Sequence, residues 1–315
     1  GTNAQCLTCC SREEARMVVV GDEVRAAISE GKPVVALEST IFSTLGLPAP
    51  ANAEALHICL AAIRGKGAVP ALTAVLDGTI CAGVSEESHE RVLNTSVKVA
   101  ARDLAVATAQ GLSEGATTVS ASVAIAHSVG IDVFATGGIG GVHREAELTG
   151  DVSADLDAIA RHRVLVVSAG AKSFLDLPRT LEYLETQSVP VVGWQTNCFP
   201  AFYVRDSGLE IPHRVDDAKA AARLHLSRRD LQQGGTLLVV PIPVEAELDA
   251  TEINHVIQKS LDELREQQLS GPKVTPYVLA KLEEITKGES VSANLALAEQ
   301  NALVAAEVAV EIAQL

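Results

Sequence analysis

The sequence predicts a layered α/β fold with a mixed sheet and a helical C-terminal third, and three observations carry that expectation. Short Val-rich runs alternate with helix-like segments as far as Val240, an Asp77-Gly78 turn signal sits between two strand-like runs, and everything after Ala250 is helical in pattern. Alternating strand and helix signals imply a sheet covered by helices, and a hairpin signal implies an antiparallel neighbour within it.

Taken along the chain, Pro33–Leu37 is the first short apolar run with the character of a buried strand, and Ala51–Ile63 follows with a helical pattern. Val69–Leu76 enters the Asp77-Gly78 turn, and the strand-like residues beyond it complete VLDGTICAGV as a hairpin. Helix-like Arg102–Leu112 and Thr118–Ser128 precede the strand-like Ile131–Ala135 and Val164–Ser168. Then come Phe174–Thr186 as helix, Val189–Trp194 as strand, Asp216–Leu226 as helix and Thr236–Val240 as strand. Three helices close the chain, Ala250–Gln268, Pro276–Thr286 and Ala293–Ala313, separated by SGPKVTP and KGES, whose Gly, Pro and Ser suit helix ends. With no long linker, low-complexity tract or repeat, residues 18–315 read as one domain and residues 1–17 as a disordered leader.

Composition narrows the function. Hydrophobic residues make up 47% of the chain but aromatics only 3%, so the core must be built from Ala, Val, Leu and Ile. A formal net charge of −15, with 25 scattered Lys and Arg, disfavours nucleic acid as a partner, while a pocket with a few focused cations can still take a small phosphorylated substrate. Cys6, Cys9 and Cys10 crowd the N-terminus and Cys59, Cys81 and Cys198 stand alone, which is not a disulfide framework; CxxCC has no second CxxC or His pair to complete a zinc site. No stretch approaches the roughly 20 apolar residues of a membrane span. The expectation is an intracellular, cytoplasmic protein with no membrane partner, an organelle address staying open.

Five places could hold chemistry. Glu38, in ALEST, follows an apolar strand, where ligands of α/β folds gather; it could be an acid or base, or a capping carboxylate. TGGIGGVHR, Thr136 to Arg144, has four glycines that permit positive φ and close approach to a ligand such as phosphate, or that simply form a crossover; it is not a dinucleotide fingerprint. His143 in it could bind a ligand or be a satisfied loop histidine. GDVSADLD offers Asp151, Asp155 and Asp157 for a hard metal or a ribose, though Ser153 with Asp155 also makes a good helix start. Lys172 closes the apolar strand VLVVSAG and is a candidate amine nucleophile for a carbonyl, or an ion-pair partner of those aspartates. Lys98 could bind phosphate or pair with Asp103. Together these residues point to an enzyme acting on a small phosphorylated carbonyl compound or sugar.

In one order, ALEST, GAVPALTAVLDG, KVAARDL, GATTV, FATGGIGGVHR, DVSADL, VVSAGAKSFLDLPRTLEYLET, PVVGW, FPAFYVRDSG, PIP and SANLALAEQNA run from about Val34 to the C-terminus. The ordered set resembles the pseudouridine-5′-phosphate glycosidase family, also described as indigoidine synthase A-like. The resemblance implies a three-layer α/β/α fold with a large, mostly parallel mixed sheet, commonly assembled as a homotrimer. It implies reversible cleavage of a C–C glycosidic bond to uracil and ribose 5-phosphate. By the same resemblance Lys172 is the Schiff-base nucleophile, Glu38 the proton donor and Asp151 the ligand of Mn²⁺ or another divalent cation. Lys98, Thr118, Val119, His143, Ser153, Ala154, Asp155 and Asn294 match positions that contact substrate.

The chain departs from that pattern at STLGLP, where Thr44 and Leu45 stand near a usual His-Gly pair, and at Ala101, where a basic residue is common. Two alternatives therefore accompany the glycosidase: another Schiff-base sugar-phosphate lyase, which would ignore uracil, and a catalytically silent phosphosugar- or nucleotide-binding protein.

Overall fold

The structure, a computed structural model, describes residues 18–315. The expected leader and its three cysteines lie outside the described residues. Eleven strands form the sheet: β1 (Val18–Val20), β2 (Val34–Leu37), β3 (Val69–Leu76), β4 (Thr79–Ala82), β5 (Lys98–Val99), β6 (Glu114–Thr117), β7 (Val133–Ala135), β8 (Leu165–Ser168), β9 (Val191–Trp194), β10 (His213–Val215) and β11 (Thr236–Val239). Their order is β1-β4-β3-β2-β7-β8-β11-β9-β10, with β6 beside β3 and β5 beside β6. All pairs are parallel except β3 with β4 and β3 with β6, so the sheet is mixed and mostly parallel.

The layers follow from the two-residue period of the strands. In β2, Val34 and Ala36 enter one hydrophobic core while Val35 and Leu37 enter another; in β11, Leu237 and Val239 part from Leu238 in the same way. One core is covered by Val119–Val129 and Ala154–Arg161, the other by Ala51–Gly65, Ala218–Asp230 and much of the long helix Glu289–Gln314. A strand buried on both faces must read as a continuous apolar run, which is why these runs do not alternate. The long helix brings Ala298, Ala302, Ala305, Ala306 and Ala309 inward, and small side chains there let it lie close to β2, β7 and β8. Scarce aromatics thus accompany close helix–sheet packing.

The hairpin expectation holds, with Asp77 at φ 50° and Gly78 at φ 70° between β3 and β4. The helical C-terminal third holds as Ala250–Glu266, Val274–Ile285 and Glu289–Gln314. The helix expected over Arg102–Leu112 is instead a 3₁₀ turn, Ala101–Asp103, and a short helix, Leu104–Ala109. Asp103 caps the turn by accepting from the Ala100 amide at 3.0 Å, and the chain leaves the helix before Gly111 at φ 63°. Phe174–Thr186 becomes helical only at Leu177, because Asp176 is its N-cap and accepts from the Arg179 amide at 3.1 Å. Cys59, Cys81 and Cys198 are free thiols, and burial pushes the Cys59 thiol up to about 12. No helix among the described residues is long and apolar enough to cross a membrane.

Candidate active site

β2, β7 and β8 are parallel neighbours, so their C-terminal ends share one edge of the sheet, and three candidate segments leave from that edge. Glu38 follows β2, TGGIGGVHR follows β7 and Ala169–Lys172 follows β8. The antiparallel β6 returns toward the same edge: the Thr117 carbonyl accepts from the Ser39 amide at 3.1 Å, and the helix Val119–Val129 starts there. β5 pairs in parallel with β6, which carries Lys98 to the group. The mixed character of the sheet is therefore what joins Lys98, Thr118 and Val119 to Glu38 and Lys172.

The glycine loop is threaded between two other segments. On one side Ala169 donates to Gly137 O (2.8 Å), Ile139 to Gly170 O (3.1 Å) and Lys172 to Ile139 O (3.0 Å). On the other, Ser153 donates to Gly141 O and His143 to Asp151 O, both at 3.0 Å. None of Gly137, Gly138, Gly140 and Gly141 lies at positive φ, contrary to the expectation from sequence. They are small because neighbouring protein closes in: a methyl on Gly138 would stand 2.7 Å from the Phe202 ring, and one on Gly141 2.9 Å from Thr180 Cγ2. The Phe202 amide in turn donates to Ala169 O at 3.1 Å, so FPAFYV packs over the lysine-bearing turn.

Glu38 is 7% exposed and is no helix cap. Its Oε1 accepts from Thr136 Oγ1 and its Oε2 from Thr40 Oγ1. Burial raises its pKa, while the charge of Lys172 and the two hydroxyls pull it down and Asp155 adds a smaller upward push. Lys172 is half-buried and makes no ion pair among the described residues, so the alternative of a bridge to the nearby aspartates is not realised. Lys98 does not pair with Asp103, which engages Arg102 at 3.3 Å. Although much of Lys98 is exposed, desolvation lowers its pKa, Lys172 adds to the fall, and Asp155, Glu38 and Asp151 oppose it. Glu38, Lys98, Lys172, Asp151 and Asp155 thus form one electrostatic cluster.

Ser153 caps the helix Ala154–Arg161 by accepting from the Asp155 amide at 3.1 Å, as the capping alternative has it. Asp155, itself 8% exposed, does more: Oδ1 accepts from the Ser120 amide at 2.9 Å and Oδ2 from the Gly140 amide at 2.8 Å. It ties the glycine loop to the start of Val119–Val129, where Thr118 is the N-cap and Val119 is buried. Ala154 is exposed on the first turn. Asp157 accepts from the Tyr183 hydroxyl at 2.8 Å and shows no link to the cluster. Asp151 is half-exposed, with Oδ2 3.6 Å from His143 Nδ1. Burial holds His143 below the ordinary imidazole range, Asp151 opposes this, and Lys172 and Lys98 deepen it.

Asn294 stands apart from these contacts. It is buried in the wall of a cavity of ≈ 190 Å³ with Thr44–Pro48, Tyr203 and Leu279, and its Oδ1 has no hydrogen-bond partner among the described residues. A second cavity, ≈ 380 Å³, has Arg144, Ser173 and Asp206 in its wall. Neither cavity is walled by Lys172 or Glu38. Sequence reasoning missed Thr40, Thr136 and Ser120, whose signals are only a hydroxyl two residues after Glu38 and hydroxyls ending or opening other elements.

The arrangement sets an amine, a buried carboxyl group and a second cation around one strand edge, a combination suited to a carbonyl or sugar carbon beside an anionic group. Against known proteins, the family described as indigoidine synthase A like protein matches residues 23–311. A pseudouridine-5′-phosphate glycosidase from Caldanaerobacter subterraneus subsp. tengcongensis is 47% identical over 95% of this chain and 98% of its own. One from Arabidopsis thaliana is 45% identical over 95% of this chain and 91% of its own. Among solved structures, the prealnumycin C-glycosynthase AlnA in complex with ribulose 5-phosphate superposes with a TM-score of 0.87 at 36% identity, covering 95% of this chain and 98% of that one. An indigoidine synthase A-like protein from Thermotoga maritima gives 0.84 at 36%, covering 94% and 97%. The match spans all the elements that build the strand-edge cluster, and the chain belongs to the indigoidine synthase A-like family.

Proposed function

We propose that this chain is a pseudouridine-5′-phosphate glycosidase in which Lys172 is the nucleophile and Glu38 transfers the proton. The observation that supports it most is the clustering of Glu38, Lys98 and Lys172, whose charges act on one another, in a chain 45–49% identical to proteins of that name. An ordinary glycosidase needs a heteroatom leaving group, whereas a C–C bond offers no lone pair to protonate. Lysine chemistry removes that obstacle. The amine nitrogen bonds to ribose C1′ as C1′–O4′ breaks and O4′ takes a proton. The nitrogen lone pair then forms a C=N bond while the bond to uracil C5 breaks, and Glu38 delivers a proton to that carbon. Water hydrolyses the iminium, releasing ribose 5-phosphate and the free lysine; the reverse sequence joins the two products.

In this reading Lys98 meets the substrate phosphate as a point charge, and His143, Thr118, Val119, Ser153, Ala154 and Asp155 frame the sugar. Asp151, with His143 beside it, fits a hard divalent cation such as Mn²⁺ that keeps most of its water: both are within reach of solvent, and no group of three ligating side chains occurs among the described residues. Such a cation would supply charge to balance the phosphate. We take residues 18–315 as one domain and the assembly as a homotrimer, which light scattering tests.

Incubation with uracil, ribose 5-phosphate and Mn²⁺ should yield pseudouridine 5′-phosphate, and borohydride should trap a sugar adduct on Lys172. Lys172→Ala should lose both. An adduct that forms and turns over without regard to uracil would favour another sugar-phosphate lyase; binding without product or adduct would favour a silent binding protein. The likeness to a C-glycosynthase supports a second reading, bond formation to an aglycone other than uracil, and the same assay with alternative acceptors separates it.

A further inference from the structure

We infer that Thr136 and Thr40 are positioning residues for Glu38 and that Asn301, on the C-terminal helix, holds Thr136 in place. This rests on the reading of Glu38 as the proton-transferring group.

The register of the sheet brings these residues together. β2 and β7 pair with Leu37 opposite Ala135, so the next residues, Glu38 and Thr136, leave the two strands side by side. The Thr136 hydroxyl donates to Oε1, and Thr40, two residues beyond Glu38, donates to Oε2. Each carboxylate oxygen thus has one fixed hydroxyl donor, which sets the plane of the group and the directions left for a substrate proton. Thr136 is itself held by its backbone. Its amide donates to Val167 O at 3.0 Å, and its carbonyl accepts from Asn301 Nδ2 at 2.8 Å. Asn301 is 1% exposed and also donates to Gly137 O at 3.3 Å. Two carbonyls facing one amide group fix which end points toward them, so the long helix keys directly onto the start of the glycine loop.

A donor to the ionised carboxylate favours that form, opposing the burial that favours the neutral acid. The two hydroxyls therefore do two jobs: they aim the carboxyl group, and they hold its pKa below the level that burial alone would set. An unpaired carboxyl group in the same burial would hold its proton more tightly and would be free to rotate.

The test compares Thr136→Val, Thr136→Ser, Thr40→Val and Asn301→Ala with wild type. Val keeps the shape and removes the donor. For Thr136→Val, kcat on pseudouridine 5′-phosphate should fall about 10- to 100-fold with KM little changed, and the Glu38 midpoint in the pH–rate profile should move up by roughly one unit. Thr136→Ser should restore both. Thr40→Val should act in the same direction from a half-exposed position, and it carries the test if Thr136→Val fails to fold. Asn301→Ala should give a smaller change of the same sign. Glu38 is titrated separately by its infrared carboxyl band, assigned by its disappearance in Glu38→Gln, so the inference has a readout without turnover. An unmoved midpoint in both Val variants overturns it, as does a kcat loss that Ser fails to restore. An active Glu38→Gln variant would instead sink the role of Glu38 itself.

Discussion

The backbone amide of Lys172 donates to the carbonyl of Ile139 over 3.0 Å, and the next residue of the loop, Gly140, donates to Asp155 Oδ2 over 2.8 Å. The lysine and the aspartate are therefore set by opposite edges of one short extended segment. The loop works as a spacer between the two groups, and its width depends on the missing side chain at Gly140.

Gly140→Ala tests that spacing. Its methyl group would press into Ser153 Oγ and lie 2.9 Å from Asp155 Oδ2, displacing the cap and the carboxylate together. Overpacking of this kind costs about 1–3 kcal/mol. We expect a lowered urea midpoint and a fall in kcat/KM of roughly 10-fold or more, since small displacements of reacting groups are amplified in rate. Gly65→Ala is the control: among the described residues nothing lies within 4 Å of its added methyl, and it should leave both quantities nearly unchanged. Equal behaviour of the two variants would show that the spacer argument is wrong.

Asp155→Asn should be more damaging than a loss of charge suggests. Asp155 accepts from two backbone amides, and an Asn can offer only one acceptor atom while turning an NH₂ toward the other N–H. Leaving one buried donor unpaired costs about 1–3 kcal/mol. Differential scanning calorimetry should show a lowered Tm, and kcat should fall because the Gly140 amide is released. A Tm within error of wild type would mean that the two hydrogen bonds carry little.

Much of this site was legible in the sequence because its parts end apolar runs. Lys172 and Glu38 each interrupt a hydrophobic strand signal at its C-terminal end, where a parallel sheet gathers its ligands. The same logic located six of the eleven strands, and the Asp77-Gly78 signal located the hairpin. What could not be read has physical causes. β6 is EGAT and β5 only Lys98–Val99, so neither has the length or β-branched content of a strand signal; their place comes from pairing alone. Thr136 meets Glu38 across 98 residues of chain, a contact that no local pattern encodes. The loop glycines signalled close approach correctly, but what comes close is Phe202, Ser153 and Thr180, contacts that exist only once the chain is folded.

Asp151→Ala tests the proposed cation site without touching the core. Asp151 is half-exposed and its carboxylate has only His143 Nδ1 near it, at 3.6 Å, among the described residues, so its loss should leave Tm nearly unchanged. Mn²⁺ titration followed by electron paramagnetic resonance should show binding weakened about 10-fold or more, because a hard cation held by few protein ligands depends on each carboxylate. Unchanged Mn²⁺ affinity in the variant would place the cation elsewhere.

Glu38→Gln should lose turnover and gain stability as pH rises. Burial is the largest influence on Glu38 and sets its folded pKa above the ordinary carboxylate range. A raised carboxyl pKa means that the folded state holds the proton more tightly than the unfolded chain does. The resulting stability is complete below the unfolded pKa and is lost as pH rises through the folded pKa, at up to about 1.4 kcal/mol per pH unit. Gln cannot titrate, so the difference in unfolding free energy between variant and wild type should be flat below the unfolded pKa, grow in favour of Gln between the unfolded and the folded pKa, and level off above the latter. Removing Lys172 should enlarge the effect, because its positive charge is the strongest influence holding the Glu38 pKa down. Urea unfolding of wild type, Glu38→Gln, Lys172→Ala and the double variant across pH supplies the full cycle. A difference that does not change with pH would show that the Glu38 carboxyl group titrates alike in the folded and unfolded chain, so that burial does not raise its pKa, and a cycle without coupling would separate the carboxyl group from the amine it is proposed to serve.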